Sequence, residues 1–260
     1  MALDDGHVSA DYLKQAAMRV RDLKDRTYKR MEINDGDTVL DAGCGPGMDT
    51  VPLAQLVGPT GRVIGLDSDA SMLKEARRHA QQSGVANRVD HRLGSALAIP
   101  LEDNTIDACR AERLLQVLPP SDEHSVIKEL LRVTRPGGRI VLADTDWGSA
   151  SVDCSDTALE RRLMNFFALQ MRPNGFAGRR LYPLCREFGL NEITVESFAL
   201  VHHSFDETPF GNWLIDTASK VSFITEREAT AWHNEMSERD AEGRFVASVN
   251  MVVVSGRKPA

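Results

Sequence analysis

The most restrictive feature of the chain is a short, β-branched run, Thr38-Val39-Leu40-Asp41-Ala42, that opens directly into Gly43-Cys44-Gly45-Pro46-Gly47-Met48-Asp49. Glycine has no Cβ, so such a loop turns at positive φ and lets a ligand approach bare backbone. A helix beginning near Thr50, with Pro52 suited to its first turn, would complete a strand, loop and helix unit. In open parallel sheets the space beyond the carboxyl end of such a strand is where ligands bind. Glycine also marks ordinary tight turns, so the loop needs support from the rest of the chain.

That support is an alternation of elements. Strands are predicted at residues 38–42, 62–67, 88–93, 105–110 and 138–144, with helices over 71–82 and 122–133 between them. Strands separated by helices of about ten residues require crossover connections and therefore a mostly parallel sheet covered on both faces. Beyond Asp144 the regularity lapses. Helices are expected over 157–171 and 178–188, and two further β-type runs over 192–203 and 245–254 are separated by a helical stretch within 206–242. The expectation is an α/β fold, a doubly wound, Rossmann-like, seven-stranded, mostly parallel sheet. It forms one domain over 1–260, with a core at 37–144. The amphipathic helix over 9–28, capped by Ser9, and residues 145–190 and 206–242 are the expected helical lid.

Composition narrows the function classes. With 38 acidic against 31 basic residues the formal charge is -7, which disfavours nucleic acid as a partner. No apolar run approaches the ~18 residues of a membrane span, and residues 1–9 are acidic and polar where a secretory leader is basic and then apolar. A soluble, cytoplasmic protein with a small-molecule substrate is expected, its oligomeric state left open, a homodimer included. Cys44, Cys109, Cys154 and Cys185 form no CxxC pair, and no two histidines stand at HExxH spacing, so no metal site is expected.

Two carboxylates sharpen the ligand. Asp67 ends the second predicted strand roughly 20 residues beyond the loop, where an acidic side chain accepts from both hydroxyls of a ribose. A dinucleotide fingerprint GxGxxG would need a third glycine at position 48, which is Met48. Asp41, just before the loop, would repel a pyrophosphate and favour a cation; the alternative is an Asp41 that only caps loop amides.

Asp41-Ala42-Gly43-Cys44-Gly45-Pro46-Gly47, Gly65-Leu66-Asp67 and Thr134-Arg135-Pro136-Gly137-Gly138 together resemble the class I S-adenosylmethionine-dependent methyltransferases. Within them the similarity is greatest to the small-molecule branch that includes the ubiquinone and menaquinone C-methyltransferases. The resemblance covers about residues 37–144. It implies S-adenosyl-L-methionine as cofactor, with Asp41, Gly43, Cys44, Gly45 and Gly47 around its methionine part and Asp67 on its ribose. Ser68 and Met72 would lie beside the adenine, and so would Gly94, Ser95 and Ala96, Ser95 standing where relatives often carry an aspartate. Tyr12 resembles the aromatic that covers the cofactor in relatives, with core packing an equal alternative. Cys109-Arg110-Ala111-Glu112 would end the fourth strand beside the methyl group, which puts Arg110 among the expected cofactor contacts. There Arg110 and Arg113 either position a substrate carboxylate or pair with Glu112 and Asp103.

Methyl transfer from a sulfonium is an in-line displacement in which the protein supplies position, desolvation and sometimes a base. No universal catalytic residue is expected. Asp146, His202 and His203 are the candidate bases, and Asp146 and Trp147 the candidate wall of a pocket for a small, partly apolar acceptor; the alternative is a solvated turn. Two other functions compete. One is a nicotinamide-dependent oxidoreductase, favoured only by the loop. The other is a protein that binds the same cofactor without transferring its methyl.

Overall fold

The structure, a computed structural model, describes residues 21–260. The described part of the first predicted helix is α1 (Arg21–Arg30); Ser9, Tyr12 and the remainder of that expectation lie outside the described residues. Then follow β1 (Thr38–Ala42), α2 (Thr50–Leu56), β2 (Arg62–Asp67), α3 (Ala70–Gln82), β3 (Val89–Leu93) and β4 (Ile106–Glu112). After two short 3-10 turns come α4 (Glu123–Val133), β5 (Thr134–Val152), α5 (Thr157–Gln170), α6 (Ala177–Glu187) and β6 (Asn191–His202). The chain closes with α7 (Asn212–Lys220), α8 (Glu226–Ala241) and β7 (Ala247–Arg257). Among the described residues no helix is long and apolar enough to cross a membrane.

Seven strands form one sheet in the order β3-β2-β1-β4-β5-β7-β6. Only β7 runs against its neighbours, inserted between β5 and β6. The chain turns from β1 to β2 on one side, while β4 lies on the other, so a crevice opens above the carboxyl ends of β1 and β4 where the winding direction switches.

Strand alternation decides what each face buries. Leu40, Ala42, Ile64, Leu66 and Ile140 point to one face, covered by Ile127 and Leu130 of α4 and by Leu181 and Leu184 of α6. Val39, Val63, Ala108 and Val141 point to the other, under Leu23 and Tyr28 of α1 and Val51 and Leu53 of α2. Asp41 and Arg110 share this second face, because each follows an apolar residue of that face by two positions. A third cluster lies past the ends of β5 and β7, where Trp147, Phe166, Phe167, Phe210 and Trp232 pack together. Trp147 at 5.1 Å and Phe210 at 5.3 Å meet Phe167 tilted and edge-on, while Phe166 stacks on Phe223 at 4.5 Å.

Two expectations need correction. The fifth strand does not stop at Asp144. Beyond a register shift between Asp146 and Ser151 it continues to pair with β7 as far as Val152 opposite Ala247. The stretch 206–242 is two helices, divided where Ser222 takes φ 59 and Thr225 with Glu228 forms a capping box that starts α8.

Helix α6 packs without a gap onto β5. A Cβ at Gly178 would fall 2.7 Å from both the Asp144 carbonyl oxygen and the Asp146 amide nitrogen. Gly178→Ala must therefore push the helix off the strand, at an expected cost of about 1–3 kcal/mol in urea unfolding. Unchanged stability would show that this contact is not tight.

Candidate active site

The crevice over β1 and β4 is a cleft of about 370 Å³, within the ~300 to 1,000 Å³ of small-molecule sites. Its floor is the loop after β1. Gly43, Gly45 and Gly47 take φ 75, 51 and 76, a left-handed succession that L side chains resist. The Gly43 and Cys44 amides both donate to the Leu66 carbonyl, at 2.8 and 3.0 Å, which folds the loop back over the end of β2. At Gly47 there is also no room, since a Cβ would meet that of Ala76 at 2.9 Å.

Asp67 closes the far side. Its two oxygens accept from the amides of Gly45 at 2.8 Å and Asp69 at 2.9 Å. An ionised carboxylate has about four acceptor positions, so each oxygen keeps one for a ligand. Asp69 in turn caps α3 by accepting from the amides of Ser71 and Met72.

Beneath the loop lies a buried charge cluster. The parallel register of β1 and β4 sets Asp41 beside Arg110, with 3.7 Å between Oδ1 and Nη1. Arg110 also contacts Asp49 Oδ1 at 2.7 Å and pairs with Glu112. Lys24 of α1 bridges Asp49 Oδ2 and Glu112 Oε1, each at 2.7 Å, and the Tyr28 hydroxyl donates to Asp49. Three carboxylates therefore face two cations.

Asp41 is the least well served. Its Oδ2 is buried with no hydrogen-bond partner among the described residues. Burial pushes its carboxyl up to about 7 against the pull of Arg110. Burial also acts on Asp49, but there Arg110 and Lys24 prevail and hold the carboxyl well below the usual range. Burial, reinforced by Asp49, pushes the Tyr28 hydroxyl up, and burial does the same to the Cys44 thiol. His91, beside Thr50 under the loop, is held down at about 4 by burial and by Arg77.

Of the residues the sequence singles out, Asp41, Gly43, Cys44, Gly45, Asp67 and Ser68 line the cleft on the loop side. Met72, Gly94, Ser95 and Ala96 line it on the other. Gly47 shapes the loop from beneath rather than lining the cleft. Arg110, proposed for cofactor contact, is 1% exposed and committed to the charge cluster, so pairing accounts for it. The expected Asp103 pairing goes instead to Arg132. Tyr12 lies outside the described residues.

Asp146 and Trp147 do not line this cleft. They are buried in β5, Asp146 paired with Arg179 at 2.9 Å and Trp147 donating to Gln116 at 2.7 Å. His202 ends the edge strand β6 and His203 follows it, and neither lines the cleft. Sequence reasoning missed Lys24 and Tyr28. Their four-residue spacing sets both on one helical face, a signal of a polar contact that no motif reports. Leu97, Leu114, Val117 and Leu118 add an apolar wall.

Residues 33–187 match the family described as the methyltransferase domain. A protein of 37.1 kDa in a transposon of Streptomyces fradiae is 32% identical over 248 residues, 94% of this chain and 69% of that one. The demethylmenaquinone methyltransferase of Geobacillus sp. (strain WCH70) is 37% identical over 123 residues, 47% of this chain and 51% of the relative. The chain thus spans about half the length of that relative. Among solved structures, geranyl diphosphate C-methyltransferase from Streptomyces coelicolor A3(2), in complex with Mg2+, geranyl diphosphate and S-adenosyl-L-homocysteine, superposes with a TM-score of 0.58. It is 19% identical over 98% of this chain and 86% of that one, a likeness of fold.

The cluster makes its own prediction. Arg110→Met leaves buried carboxylates without their main partner and should cost about 3–5 kcal/mol in denaturant unfolding. In the parent, the depressed Asp49 and Glu112 carboxyls contribute stability that is present above their unfolded values and lost as pH falls. In the variant those carboxyls rise, so its stability is lost as pH rises instead. The gap between the two proteins should widen from pH 5 to pH 8, and a constant gap would contradict the charge assignment.

Proposed function

As the chain belongs to the methyltransferase-domain family, whose members are S-adenosyl-L-methionine-dependent enzymes, we propose that its cleft binds this cofactor over the glycine loop and that the protein methylates a small, partly apolar metabolite. The observation that carries the reading is Asp41, a buried carboxylate in the cleft whose Oδ2 accepts no hydrogen bond from any described residue. Such an atom suits a cationic ligand and repels a phosphate.

The residues present fit the cofactor. Asp41 would hold its ammonium end with the backbone of 43–47. Asp67 keeps two acceptor positions for ribose hydroxyls, and Met72 offers a polarizable surface beside an adenine flanked by Ser68 and 94–96. When bound, the cofactor supplies a methyl group on a positively charged sulfur. The chain's part is to hold the acceptor in line, exclude water and fix the surrounding charges. Arg110 and Lys24 keep Asp49 and Glu112 ionised, so the anionic floor stays in place whether or not a proton sits on Asp41. Leu97, Leu114, Val117 and Leu118 support an acceptor with an apolar body, and the name of the Geobacillus relative supports a small organic acceptor over a polymer.

On the same reading, α1 and the helices around the aromatic cluster form the lid that selects the acceptor and keeps water out. A cytoplasmic location is supported by four cysteines that are buried and free. No side chain is assigned as a general base. In-line transfer to a polarised acceptor needs position above all.

Asp67→Ala should weaken S-adenosylhomocysteine binding by about 1.5–3 kcal/mol, the worth of hydrogen bonds to a charged group. Calorimetry measures it. Equal affinity in both proteins would remove the ribose assignment, and a thermal shift with NADH in place of S-adenosylhomocysteine would remove the cofactor.

Asp41 gives a pH signature. Below about 7 the free protein carries a proton on this carboxyl; a ligand ammonium favours the ionised form, so binding expels the proton. Affinity for S-adenosylhomocysteine should therefore climb from pH 6 to pH 8, by at most about tenfold per unit, and level off. Asp41→Asn should bind more weakly and without that slope. A pH-independent parent would rule out the assignment.

A further inference from the structure

Arg110 and Arg113 lie three residues apart at the end of β4 and meet opposite fates. Arg110 is enclosed by three carboxylates. Arg113 lines the cleft, half-buried, and its guanidinium makes no hydrogen bond or ion pair with any described residue. Its Nε is buried with no acceptor among the described residues, a cost for a charged donor. Lys24, the other cation in the cleft, is already shared between Asp49 and Glu112.

The backbone holds Arg113 in place at some expense. It takes φ 54, sparsely populated for a side chain of this size, and its amide donates to the Ala143 carbonyl at 2.8 Å. The next residue, Leu114, covers the loop: a Cβ at Gly43 would meet its Cδ1 at 3.1 Å. Arg113 thus stands where the loop after β1 meets the end of β4, beside the apolar wall of Leu114, Val117 and Leu118.

We propose that Arg113 is a specificity-determining residue that anchors a carboxylate on a partly apolar acceptor; this rests on reading the adjacent loop as the cofactor site. A guanidinium presents a planar fork that matches a carboxylate through two parallel hydrogen bonds. Phosphate offers the same fork, but Glu112 and Asp144 lie close enough for Arg113 to act on both electrostatically. A monoanion meets less repulsion from that pair than a dianion. The apolar wall takes the body of the molecule while Arg113 takes its charged end, which fixes the direction in which the acceptor lies across the cleft.

The test is calorimetry on protein saturated with S-adenosylhomocysteine. Hexanoate, benzoate and phenylacetate are each compared with their primary amides, and phenyl phosphate is a further arm. In the parent at least one acid should bind about tenfold tighter than its amide, as a charge-assisted pair implies. Arg113→Gln should reduce that preference to less than about threefold, while Arg113→Lys, which keeps the charge but not the fork, should retain part of it. The ratio of acid to amide is insensitive to a general loss of stability, and thermal midpoints confirm that the variants are folded. Preference for the acid in none of the three pairs, or a preference untouched in Arg113→Gln, overturns the proposal. Tighter binding of phenyl phosphate than of every carboxylate overturns the class of acceptor. A parent that fails to bind S-adenosylhomocysteine overturns the cofactor reading itself, a separate result seen before any acid is added.

Discussion

Asp41 and Arg110 stand side by side on adjacent parallel strands, and the cleft is organised around that pairing. Arg110 is almost wholly buried, and a buried guanidinium persists only where carboxylates enclose it. Asp49 and Glu112 meet most of that need, which leaves Asp41 with a distant contact on one oxygen and, among the described residues, no hydrogen bond on the other. The cluster thereby fixes three acidic side chains beneath a loop whose own backbone supplies only dipoles. It also binds α1 to the sheet through Lys24 and Tyr28, so the helix and the loop share one set of charges.

The sheet explains why this happens at one place. The winding direction changes between β1 and β4, so a crevice opens above their carboxyl ends, and the chain turns there on the three left-handed glycines. Asp67, from the end of the next strand, accepts from the loop's Gly45 amide and so positions the same loop that its own carboxylate faces. Helices α5, α7 and α8 pack in a separate aromatic cluster at the ends of β5 and β7 and contribute no charged group to the floor of the cleft.

Much of this was legible in the chain. The glycine loop, Asp41 before it and Asp67 after it are local features whose spacing carries their meaning. The alternation of β-branched runs with amphipathic stretches specified a doubly wound sheet without knowledge of any contact. What escaped was non-local. Asp146 and Trp147 look like a pocket mouth because a strand ending at Asp144 would expose them. The strand instead runs on to pair with β7, about a hundred residues later, and Arg179 and the aromatic cluster cover Asp146 and Trp147. Arg110 reads as a ligand contact for the same reason, since its partners Asp41 and Asp49 are distant in sequence. The histidine pair read from β6 falls on the edge of the sheet, a location decided by strand order.

By itself, then, the sequence determined the class of fold, the place of the loop and two of the acidic groups around it, because these rest on backbone conformation and short-range spacing. Only the tertiary structure decided which charges are satisfied. Burial raises the energy of every ionised group, and whether a partner answers it depends on strand register and helix packing. Among the described residues, register encloses Arg110 in carboxylates, leaves one oxygen of Asp41 without a hydrogen bond and leaves the Arg113 guanidinium lining the cleft with no hydrogen bond of its own.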